Sequence, residues 1–152
     1  MKKIGIFKAM KLCKDYEKMS AEKQQEIQKK RLEEIVEYAR KNSPYYRKLY
    51  QNVPQSFSLT DLPQTDKKNL MENWNDWVCD KELTLEEVEK FMEDTDNIGR
   101  KLKKKYLVFT TSGSTGNPLV SIYDNTANNV MGGISARRSY ARKEDLVAFI
   151  KR

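Results

Sequence analysis

Apolar residues recur with a helical period over most of the first hundred positions. From Ser20 to Lys41, Ile27, Leu32, Ile35, Val36 and Ala39 share one face while Lys, Glu and Gln fill the others, which predicts an amphipathic helix. Asn42-Ser43-Pro44 ends it. Ser43 also caps a short helix, Pro44 to Tyr50, with proline at its favoured first position and Tyr45, Tyr46 and Tyr50 expected in packing contacts. Pro54 and Pro63 punctuate a connector from Asn52 to Gln64. Thr65 or Asp66 then caps a brief helix running to Asn73, and Trp74 and Trp77 are expected to cover the core beside it. Thr84 with Glu87 makes a capping box for a helix to Glu93, whose buried stripe is Leu85, Val88, Phe91 and Met92. Asp94 to Gly99 reads as a turn. No element is assigned to the residues before Ser20.

Beyond Gly99 the pattern changes. Tyr106 to Thr111 and Leu119 to Tyr123 are rich in aromatic, β-branched and Thr residues and read as two strands. The segment from Asn125 to Arg142 reads as a helix despite Gly132 and Gly133, with Arg138 and Arg142 on one face; Lys143 to Arg152 reads as another short helix. The expected fold class is therefore α+β: a mostly helical segment over residues 1–99, then a strand–loop–strand segment with a helix over 100–152. The turn between the strands, Ser112-Gly113-Ser114-Thr115-Gly116-Asn117-Pro118, concentrates glycines and hydroxyls. Such a composition serves an ordinary hairpin for purely conformational reasons. It also suits anion binding, because glycines let the backbone approach a ligand, successive amides converge into a concavity and hydroxyls add donors. A Walker A loop is excluded, since that motif needs GxxxxGK[ST] leading into a helix, and here Pro118 and a β-rich run follow.

The string Val108-x-x-Thr111-Ser112-Gly113-Ser114-Thr115-Gly116-x-Pro118 resembles the phosphate-binding signature of the adenylate-forming enzymes, the superfamily of acyl-CoA synthetases. One position departs: the superfamily usually has Lys or Arg after the proline, and here Leu119 stands there. Relatives of phenylacetate-CoA ligase often lack that base too. Three further blocks are similar to the N-terminal region of that subgroup, in particular of variants associated with capsule or surface-polysaccharide loci. They are Glu37 to Arg47, Leu59 to Leu70, and the helix after the loop with Arg137-Arg138-Ser139-Tyr140. The resemblance covers nearly all of this chain but only the leading part of such an enzyme. It implies an incomplete portion of the ligase fold, in which Thr111, Ser112, Gly113, Ser114, Thr115 and Gly116 bind the phosphates of ATP with Mg²⁺, a carboxylic acid is the second substrate and coenzyme A a possible acceptor. No catalytic residue and no protein metal ligand is assigned within the chain. The expectation is an N-terminal piece that is inactive alone and that needs a C-terminal part or associates with itself; a non-catalytic interaction or anion-binding module is the alternative.

Composition narrows the chemistry further. The chain of 152 residues has no histidine, which excludes imidazole-based hydrolysis and makes a zinc site implausible. Cys13 and Cys79 form no C-x-x-C pair and no disulfide framework, so a reducing cytoplasm is the expected compartment. No apolar run is long enough for a membrane span, Lys8, Lys11 and Lys14 interrupt anything resembling a signal peptide, and no membrane partner is expected. Net charge is +7, but it is segregated: residues 1–52 carry 14 basic and 7 acidic groups, 53–99 carry 4 and 12, and 100–152 carry 11 and 3. This pattern suits mutual neutralisation on folding as readily as an external polyanion. No nucleic-acid-reading motif accompanies it, so nucleic acid is not expected as a partner. The basic run Arg100 to Lys105 reads first as a charged flank protecting the strand that follows, and second as an attractor for polyphosphate.

Overall fold

In the computed structural model, which describes residues 3–111 and 119–139, the chain is α+β, with helices dominating and one antiparallel hairpin. Helix α1 spans Ile6–Glu17, α2 Ala21–Asn42, α3 Pro44–Leu49, α4 Lys67–Glu72, α5 Trp74–Trp77 and α6 Leu85–Glu93. Strands β1 (Leu107–Thr110) and β2 (Val120–Tyr123) follow, then α7 (Asn125–Ser139). The helix expected over 143–152, and Arg142, lie outside the described residues.

Helices α2, α3, α4 and α6 each begin where a side chain satisfies an amide that the helix itself leaves unpaired, whereas α1 and α5 start without a side-chain cap. Ser20 accepts from the Lys23 amide at the start of α2, Asp66 from the Asn69 amide at α4, and Thr84 from the Glu87 amide at α6. The reciprocal half of the capping box expected at Thr84 is replaced by an ion pair, because the Glu87 carboxylate turns to Lys103 Nζ at 3.0 Å. Ser43 stands between α2 and α3 and is fully buried. Its amide closes α2 on the Ala39 carbonyl, its hydroxyl accepts from the Tyr46 amide to start α3, and the same hydroxyl donates to the Asp76 carbonyl at 2.8 Å. One buried serine thus joins three helices, with every polar atom used. Tyr45, Tyr46 and Tyr50 pack on one another, Tyr46 stacked on Tyr50 and edge-on to Tyr45.

The main core lies beneath the hairpin. Trp74, Leu83, Val88, Leu102, Tyr106 and Val120 are its buried members, with Val108 and Ile122 packed against them from the strands. Trp74 pairs edge-on with Trp77, and its indole N–H donates to the Leu83 carbonyl at 2.9 Å, so the largest core side chain carries no unmet donor. The expected stripe of α6 is the observed one: Val88 is buried, and Leu85, Phe91 and Met92 border the cluster. On α2 the stripe is narrower than its apolar pattern. Val36 is buried, whereas Ile35 is 63% exposed.

A tight turn precedes β1. Leu102 and Tyr106 exchange both backbone hydrogen bonds at 2.9 Å, and Lys103 and Lys104 bridge them with φ of 50° and 56°. Two successive non-glycine residues at positive φ are uncommon. They are held because both flanking side chains, Leu102 and Tyr106, sit in the core.

At the other end of the molecule α1 packs on α7, an element pairing that the sequence reading did not contain. Ala9 is buried against Gly133, the Asn129 amide group donates to the Ile4 carbonyl at 3.0 Å, and Arg137 reaches Glu17 at 2.8 Å. Gly132 and Gly133 had counted against a helix here. They are instead the surface on which α1 lies.

Candidate functional site

The hairpin pairs Leu107 with Tyr123, Val108 with Ile122, Phe109 with Ser121 and Thr110 with Val120. Because side chains alternate across a strand, Val108, Val120 and Ile122 face the core, while Phe109 and Tyr123 meet edge-on on the outer face at 5.4 Å. The strands are each slightly shorter than expected: Tyr106 belongs to the preceding turn, and Leu119 lies just outside β2.

Thr111 and Leu119 form the neck of the loop. The Thr111 amide donates to the Leu119 carbonyl at 3.1 Å, and the Leu119 amide donates to Thr111 Oγ1 at 3.0 Å. Of the expected site residues, Thr111 is the one described, and Ser112, Gly113, Ser114, Thr115 and Gly116 lie outside the described residues. The neck changes what Thr111 can offer. Its amide is committed to the hairpin and one lone pair of its hydroxyl is taken, and among the described residues the hydroxyl proton has no acceptor. Leu119 contributes its backbone to this closure. The β-propensity of Thr111 signals the strand it ends, yet the side chain-to-backbone bond is not readable from a motif.

Electrostatics around the hairpin are largely internal. Lys103 pairs with Glu87 and also donates to the Glu82 carbonyl; Lys105 pairs with Asp80 at 3.1 Å; Lys101 donates to the Asn125 side chain at 2.7 Å. Lys103 and Lys105 thus tie the acidic middle of the chain to the base of the strand, and Lys101 ties the same run to the start of α7. Asp80 is the hub, accepting also from the Tyr106 hydroxyl. That hydroxyl, with the Lys105 ammonium beside it, holds the Asp80 carboxyl below its ordinary range. Burial first, and then the Asp80 carboxylate, push the Tyr106 phenol up. The Lys105 ammonium, with the Tyr106 phenol beside it first and the Asp80 carboxylate at 3.1 Å, stands 4.4 Å from the Tyr106 ring centre and is held well above its ordinary value. These groups are engaged with one another and anchor the start of β1.

Beyond β2, Asp124 caps α7 by accepting from the Ala127 amide at 2.7 Å. Strand, neck and helix start are therefore each fixed by local bonds, and the Gly/Ser/Thr loop is held at both ends. Among the described residues no group of three or more Cys, Asp or Glu converges on a possible metal position, and no helix is long and apolar enough to cross a membrane. Comparison with family models, with curated proteins and with solved structures finds no match to the chain.

Proposed function

We propose that this chain supplies the polyphosphate-binding portion of an AMP-forming, acid-activating ligase of the phenylacetate-CoA ligase type. The observation that carries the reading is the Thr111 to Gly116 string with Pro118, set in a hairpin whose two ends are tied by the Thr111–Leu119 bonds. In the reaction a carboxylate oxygen attacks the α-phosphorus of ATP, the bond to the β-phosphate oxygen breaks, and pyrophosphate leaves. The resulting acyl-adenylate then passes its acyl group to a thiol such as coenzyme A, and AMP departs. The loop's part is to hold the β- and γ-phosphates while charge grows on the leaving pyrophosphate, using the hydroxyls of Ser112, Ser114 and Thr115 and the amides near Gly113 and Gly116. Mg²⁺ on the phosphates shares that charge. With Leu119 in place of a base, backbone and hydroxyl donors carry more of the load than in relatives with a lysine there.

The adenine pocket and the acid-binding pocket follow this region in the family, so the 152-residue chain by itself is expected to bind triphosphate weakly and to form no acyl-adenylate. The test titrates the chain with ATP–Mg²⁺ by calorimetry, then measures pyrophosphate release with aryl and fatty acids, alone and mixed with a C-terminal ligase fragment. Binding that Ser114→Ala with Thr115→Ala weakens by about tenfold or more, at roughly 1.5 kcal/mol or more for charge-assisted bonds, together with release only in the mixture, supports the proposal. Binding without release under either condition assigns the chain to a non-catalytic anion-binding module. No binding and no release would sink both.

A further inference from the structure

The side of α1 turned away from α7 has a chemistry of its own. Ala9 points inward onto Gly133, and on the opposite side Phe7, Lys11 and Lys14 follow one another at i, i+4 and i+7. Lys18 at the C-cap continues the row, and Lys3 precedes it just before the helix. All five are exposed, and Phe7 is 83% exposed, as open as any large apolar side chain among the described residues. Glu17 is drawn aside by Arg137 at 2.8 Å, and exposed Asp15 beside the row sets one acid against four lysines; among the described residues no ion pair engages Lys3, Lys11, Lys14 or Lys18. Among the described residues nothing packs on the Phe7 ring, and a row of ammonium groups without ion pairs to those residues favours a negatively charged partner.

We propose that this face of α1 docks flat on an anionic lipid surface, with Phe7 seated at the acyl boundary and the lysines on the headgroups. Charge complementarity names the sign of the partner, and Phe7 names its kind. A nucleic-acid backbone would engage the ammonium groups but has no apolar interior for a phenyl ring lying among them, whereas a bilayer offers both layers at that depth. Long lysine stems let the ammonium groups stay in the headgroup region while the ring beside them goes deeper. The inference needs no membrane span, and it does not rest on the ligase reading.

The experiment uses the full chain and vesicles of phosphatidylcholine with and without phosphatidylserine. Binding is expected to the anionic vesicles and to weaken as salt is raised. Lys11→Glu with Lys14→Glu should lower the partition coefficient by about twentyfold or more, at roughly fivefold per lysine, and Phe7→Ala by about tenfold. Because these side chains are exposed, each variant should melt as the parent does. In a Phe7→Trp chain, brominated lipid should quench the new emission while leaving that of Trp74 and Trp77 in the parent unaffected. Equal binding to neutral vesicles, no binding to anionic ones, or quenching in the parent chain would overturn the proposal. So would duplex DNA binding that the lysine substitutions weaken and Phe7→Ala leaves unchanged, without vesicle binding, which would assign the face to nucleic acid.

Discussion

A Cβ placed on Gly133 would stand 2.6 Å from the Ala9 Cβ and 2.9 Å from the Ile6 carbonyl oxygen, whereas one on Gly132 would meet only the tip of Ile6, at 3.2 Å from Cδ1. The two neighbours therefore have opposite consequences. At Gly133 the obstacle is backbone and a side chain with no freedom to turn, so α1 and α7 must separate, at a typical cost of about 1–3 kcal/mol for overpacking. At Gly132 the obstacle is a flexible side chain that can rotate away, and the helix gains up to about 1 kcal/mol in propensity. Gly133→Ala is expected to lower the melting temperature by several degrees and Gly132→Ala to leave it unchanged or raise it slightly. Thermal unfolding followed by circular dichroism decides between them, and shifts of the same sign and size would refute the close helix crossing. Residue types at a contact are what sequence patterns convey least. The two glycines weaken a helix on any propensity scale, and the reason they stand here lies on another helix more than a hundred positions away.

The elements show which signals survive the passage from pattern to structure. Capped helices were legible: Ser43, Asp66 and Thr84 start helices as their chemistry requires, and α2 begins at the expected place, where Ser20 caps it. Helix α1 was not, because its lysines suggested only a broken hydrophobic run and hid the period of Ile6, Ala9, Met10 and Cys13, of which Ile6 and Ala9 meet the glycines of α7. Ile35 went the other way, since it lies at the right spacing on α2 but nothing packs over it to bury it. The hairpin was legible in its strands but not in its register, and the candidate loop in its residue types, while the neck depended on a side-chain bond that no spacing reveals. That bond is testable. Thr111→Val keeps the shape and β-propensity but removes the acceptor for the Leu119 amide. Exchange of the Leu119 amide is expected to accelerate by about fivefold, from roughly 1 kcal/mol for a lost hydrogen bond, while the Thr111 amide, which donates to the Leu119 carbonyl, keeps its protection. Thr111→Ser should restore the parent rate. An unchanged Leu119 exchange rate in Thr111→Val would show that the neck does not hold in solution.

At the scale of the whole molecule, the segregated charge of the chain is partly spent on folding. Lys103–Glu87 and Lys105–Asp80 join the basic third segment to the acidic middle, and Arg137–Glu17 joins the two ends. This arrangement fixes how stability must depend on pH. Asp80, Asp61 and Asp66 all have folded-state values below the ordinary one, Asp80 through the Tyr106 hydroxyl first, Asp61 through the Ser58 amide and Asp66 through the Asn69 amide. A carboxyl depressed by folding contributes stability that is present above its unfolded value, about 4, and is lost as pH falls through the folded value. Tyr106 and Lys105 are raised, so their contributions are present below about 10 and are lost as pH climbs through the folded values. Between these limits the chain has no histidine to titrate. The melting temperature is therefore expected to be level from about pH 5.5 to about pH 8.5, to fall below about pH 4 and to fall again above about pH 10. Asp80→Asn should flatten part of the acid limb, and it should also weaken the alkaline one, because the carboxylate supports both Tyr106 and Lys105. A melting temperature that moved by several degrees between pH 6 and pH 8 would mean that some other ionisation governs the fold, and an Asp80→Asn chain with both limbs unchanged would remove Asp80 from its place as the electrostatic hub.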